Sequence, residues 1–154
     1  MLSSLRPYKY WIEDGKYIFD TPSGARYVAY FLDLSFISDN LFTFNFDREV
    51  EGTRKIIDSQ VFDTICTILG RFFQSHVVSM LLVCDSQGGR EEARKRLFDS
   101  WFSRLAPKNL MKIDRSGYAE EYRLFVSIIV WQDNPNKDKM IAILDEYCSS
   151  MLDY

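Results

Sequence analysis

The chain has 154 residues, enough for one domain with a sizeable buried core. Hydrophobic residues make up 47% of it and aromatics 16%, which excludes a mostly disordered chain. A formal net charge of −3 excludes the strong basic excess of a dedicated nucleic-acid binder, so nucleic acid is not an expected partner.

The charge is uneven along the chain. Residues 1–89 carry 8 basic and 11 acidic side chains, residues 90–115 carry 8 and 4, and residues 116–154 carry 3 and 7. The middle block suits an anion or an acidic partner, and a solvated helix face is its plainer account. Cys66, Cys84 and Cys148 are odd in number and far apart, which implies no disulfide framework and fits a reducing, cytoplasmic setting. His76 is the sole histidine, so no zinc-ligand spacing exists, and neither a metal nor a cofactor is expected. The start, Met1 to Pro7, lacks the apolar core of a signal peptide, and no apolar run is long enough to cross a bilayer.

In chain order, Tyr8–Glu13 and Lys16–Asp20 read as strands joined by Asp14-Gly15, a two-residue hairpin signal. Thr21-Pro22-Ser23-Gly24 is a second turn, followed by a longer strand over Arg26–Leu34. Ser38-Asp39-Asn40 turns the chain again into Leu41–Phe46, where Phe42, Phe44 and Phe46 share one face. These four strands predict a meander whose aromatic face needs a helix layer. Arg48–Lys55, charged and containing Gly52, reads as a loop.

Asp58 suits the N-cap of a helix, with Ile57 placed to staple to Phe62. Val61, Ile65, Ile68, Leu69, Phe72 and Phe73 form its apolar stripe, and His76 is read as capping its C-terminus. Val77–Cys84 is an almost unbroken apolar run, the mark of a central strand. A glycine turn leads into a helix from about Gly89 to Leu105, which Pro107 stops. Leu110–Arg115 and Glu121–Trp131 read as strands joined around Ser116-Gly117. Asn134-Pro135 opens the last helix, with Met140, Leu144, Cys148 and Met151 among its inward residues. The order β-β-β-β-α-β-α-β-β-α predicts a single α+β domain over 1–154, a mostly antiparallel sheet packed by three helices.

Cys84-Asp85-Ser86, Gly89-Arg90, Ala93-Arg94, Leu97-Phe98-Asp99 and Trp101-Phe102 together resemble a motif of a family of short uncharacterised bacterial proteins. That family is a domain-of-unknown-function group found mainly in Bacteroidetes. The likeness extends more loosely to the aromatic hairpins, the Asp58 helix and Asn134-Pro135. The place before the Gly-Arg pair, often acidic in that family, holds Gly88 here. The resemblance implies a bacterial, cytoplasmic protein of this fold and brings no activity with it.

At 100° per residue, Leu97, Phe98, Trp101, Phe102 and Leu105 form one stripe that Arg90 and Arg94 extend, with Glu92, Lys95, Arg96 and Asp99 opposite. Two arginines in a first helical turn oppose the helix dipole and call for an anionic partner. Asp85 can supply it, which would make the corner a clamp between strand and helix. The functional reading is an anion site formed by Asp85, Ser86, Gly88, Gly89, Arg90 and Arg94, where loop amides and two guanidinium groups converge on a phosphate or carboxylate.

A sharper alternative makes Cys84, Asp85 and Arg90 catalytic, because Cys84 and Arg90 have the Cys-x5-Arg spacing of cysteine-dependent phosphatases. The glycines stand at the fourth and fifth intervening places, where that loop usually has one at the third, and Cys84 closes an apolar strand, where an inert thiol is the ordinary outcome. The aromatic N-terminal cluster lacks basic interleaving and reads as sheet core, and Glu91-Glu92 and Glu120-Glu121 point apart as neighbours do. The expectation is a non-enzymatic accessory or interaction domain that meets a protein partner, a second copy or a small anion at Asp85–Arg94. The alternative is an enzyme acting on a phosphorylated substrate.

Overall fold

In the computed structural model, residues 5–53, 58–85, 91–119 and 122–152 are described. For 85, 91–93, 118, 119, 122 and 150–152 only the backbone is. The elements are β1 (Trp11–Glu13), β2 (Lys16–Asp20), β3 (Arg26–Asp33), β4 (Leu41–Val50), α1 (Ser59–Phe72), β5 (Ser79–Asp85), α2 (Glu91–Leu105), β6 (Leu110–Ala119), β7 (Tyr122–Trp131) and α3 (Lys137–Leu152). The strands form a seven-stranded, mostly antiparallel sheet in the order β1-β2-β3-β4-β5-β7-β6. The expected α+β class, strand and helix order and N-terminal run of four strands are all present. By contacts the chain divides into two units, one of residues 1–33 and 43–74, the other of 34–42 and 75–154.

The first unit is built on hairpins. Asp14 and Gly15 both take positive φ, 52° and 76°, which lets β1 turn into β2 with Glu13 opposite Lys16. Gly24, at φ 85°, closes the next turn, and β2 and β3 pair from Asp20↔Arg26 to Lys16↔Tyr30. Tyr8, Phe19 and Tyr27 stack in sequence, with ring centroids 6.3 and 5.3 Å apart, while Phe31 stacks on Phe72 of α1 at 4.5 Å. Asp58 caps α1 as expected: its Oδ1 accepts from the Val61 amide at 2.9 Å and its Oδ2 from the Tyr8 hydroxyl at 2.8 Å. The Ile57 half of the staple lies outside the described residues.

The expected boundary between strand and loop after Phe46 needs correction in this unit. Strand β4 continues to Val50, beyond Phe46, so the loop begins later than the charged sequence suggested. Arg48 belongs to the strand because its stem buries, leaving 14% of the side chain exposed, and its guanidinium lies 5.6 Å from the Tyr27 ring centroid. Gly52 then turns the chain at φ 71°, against Ala25.

The second unit is a strand layer with two unlike faces. β5 pairs with β7 antiparallel from Ser79↔Val130 to Asp85↔Leu124, and β6 pairs with β7 from Leu110↔Trp131 to Ala119↔Tyr122. Leu81, Leu124, Val126, Ile128 and Val130 pack with Met140, Leu144 and Cys148 of α3 into one apolar cluster. Alternation sends Leu82, Cys84, Phe125 and Ser127 to the opposite face, toward Phe98 of α2. The turn expected at Ser116-Gly117 is not there. These residues pair with Phe125 and Leu124 inside the strands, and the ladder runs on to Ala119↔Tyr122.

Two polar anchors tie the ends of this layer. Asn134 caps the turn into α3, its Oδ1 accepting from the Asn136 amide at 2.8 Å. The α-helix itself starts at Lys137, two residues later than Pro135, because the first bond runs from the Lys137 amide back to the Asn134 carbonyl. His76 does not cap α1, whose end is closed by Phe73. It stacks face to face on Trp131 at 3.8 Å and bonds the Asp133 carboxylate through Nδ1 at 3.1 Å.

Candidate functional site

The expected site falls where the central strand ends. β5 terminates at Asp85, whose backbone pairs with Leu124, and α2 begins at Glu91. Ser86, Gly88, Gly89 and Arg90 lie outside the described residues, as does the side chain of Asp85. Arg94 is described and half-buried near the start of α2.

Cys84 can be placed. It stands opposite Phe125, buried, with 8% of its surface exposed and no disulfide. The gap beside it, lined by Leu82, Phe98, Lys95 and Lys112 among others, measures about 10 Å³. That is no more than the space of one water, whereas attack on phosphorus needs an open thiolate.

Beside Cys84 the structure holds an ionic network that sequence reasoning missed. Lys112, on β6, buries its side chain to 5% exposure and donates to Asp99 Oδ1 at 2.6 Å and Asp114 Oδ1 at 2.5 Å. Lys95 donates to Asp99 Oδ2 at 2.6 Å, and the Ser127 hydroxyl donates to Asp114 Oδ1 at 2.5 Å. Burial pushes the Asp99 carboxyl up, but the hydrogen bonds from Lys112 and Lys95 outweigh it and hold the group below the usual carboxylate range. The bond to Asp99 likewise raises Lys95 against the opposing effect of burial. Both partners stay charged at neutral pH.

This overturns the helix reading in one respect. Lys95 and Asp99 are only partly solvated, with 35% and 39% of their side chains exposed. They sit one and five residues after Arg94 and turn toward the sheet, because Lys112 on the facing strand needs carboxylate acceptors. A signal was legible: Lys112, Asp114 and Ser116 alternate with apolar Met111 and Ile113, and Ser127 interrupts the apolar run of β7.

Next to the network opens a cleft of about 190 Å³, lined by Lys95, Asp114, Arg115, Ser116, Phe125 and Ser127. The Phe125 ring is its aromatic wall, with Lys95 Nζ 5.5 Å and Arg123 Cζ 5.6 Å from the centroid. Arg115 crosses its edge, bonding Asp145 of α3 at 3.0 Å and the Asp114 carbonyl at 2.9 Å. Among the described residues no helix is long and apolar enough to cross a membrane.

Comparison with known proteins gives a family. No curated protein matches the chain, and no solved structure matches it. The model of a family of unknown function, DUF6169, matches residues 57–147 and so takes in α1, β5, α2, the β6–β7 pair and most of α3. With more than half of its length matched, including the β5–α2 corner and the ionic network, the chain belongs to the DUF6169 family.

Proposed function

We propose that the protein is a non-catalytic, cytosolic binding domain that holds an acidic group, a phosphate or a carboxylate, at the corner from Asp85 to Arg94. The observation that carries this reading is the handover of a central strand to a 15-residue helix between Asp85 and Glu91. Such a corner turns successive backbone amides and a helix dipole toward one point, and the sequence there supplies Ser86, Gly88, Gly89, Arg90 and Arg94. The buried Cys84 thiol favours binding over phosphoryl transfer. Three cysteines without a disulfide among them support a reducing compartment. The single seven-stranded sheet supports reading residues 1–154 as one domain.

Thermal unfolding with inorganic phosphate and with sulfate tests the site. Ligand at about 100 times its Kd adds roughly 2.7 kcal/mol, a rise of a few degrees in Tm. The rise is expected in the native chain and lost in Arg94→Ala. Equal rises in both proteins, or none in the native chain, would overturn the reading.

A further inference from the structure

We draw no further inference here: the strongest candidate, the cleft of about 470 Å³ at the start of α1 lined by Tyr8, Ser23, Thr53, Asp58, Ser59 and Gln60 among others, rests on a helix N-terminus whose capping carboxylate is already bonded to the Val61 amide and the Tyr8 hydroxyl, and no second feature among the described residues points to a ligand there.

Discussion

Lys112 donates to Asp99 at 2.6 Å from a side chain only 5% exposed, whereas Asp99 itself remains 39% exposed. The burden of burial thus falls on the ammonium. Two carboxylates, Asp99 and Asp114, share one deeply placed cation, and each keeps contact with water. Removing the cation or removing its acceptors should therefore have unequal consequences. Lys112→Met leaves two partly hydrated carboxylates and is expected to shift stability by no more than about 1 kcal/mol. The double change Asp99→Ala with Asp114→Ala strands the ammonium and is expected to cost roughly 3–5 kcal/mol. Urea denaturation of the three chains distinguishes these outcomes.

The same pair sets an acid limb. The folded-state pKa of Asp99 is depressed, so its contribution is fully present above its unfolded value and is lost as pH falls through the folded one. Comparing the native chain with Asp99→Asn, the stability gap should be open at neutral pH. It should narrow below about pH 4, where an unfolded aspartate protonates. A gap that widened on acidification would contradict the assignment. Lys95 has the opposite sense: its raised pKa supports the fold at neutral pH and is lost only under strongly alkaline conditions.

Two glycines with nearly the same backbone angle should respond differently to alanine. Gly15 has φ 76°, and a Cβ there meets nothing within 4 Å. Gly15→Ala should cost about 1 kcal/mol for the left-handed backbone alone. Gly52 has φ 71°, but its Cβ would fall 2.6 Å from the Ala25 amide nitrogen and 2.9 Å from the Ser23 carbonyl oxygen. Both are backbone atoms that cannot swing aside, so Gly52→Ala should cost roughly 3 kcal/mol or more. Thermal melts of the two variants suffice.

Much of the fold was legible because local chemistry enforced it. Asp14-Gly15 turns as expected because both residues take positive φ, and Asp58 caps α1 because a carboxylate there answers the amide of Val61. The apolar run into Cys84 became a strand paired along its whole length with β7. What escaped was set by partners distant in sequence. Ser116-Gly117 looks like a break when read alone, yet Phe125 and Leu124 opposite hold it in the ladder. Lys95 and Asp99 fit a solvated face until Lys112, thirteen residues beyond Asp99, is brought against them. His76 resembled a helix cap because nothing nearby in sequence announces Trp131 as its stacking partner. At the candidate site, the strand end and helix start were read to within about two residues, and the buried state of Cys84 agrees with the apolar run it closes.

The two faces of β7 have a consequence for how the strand layer is aligned. Leu124, Val126, Ile128 and Val130 pack under α3, while Phe125 and Ser127 face the ions beneath α2. A slip of one residue against β5 or β6 would push Ser127 into the oily layer and thrust Ile128 among Lys112, Asp99 and Asp114. A slip of two would keep the faces but take the Ser127 hydroxyl away from Asp114, its partner in the present pairing. The ion cluster therefore acts as a key cut for one alignment. It fits the native alignment and makes every neighbouring one worse.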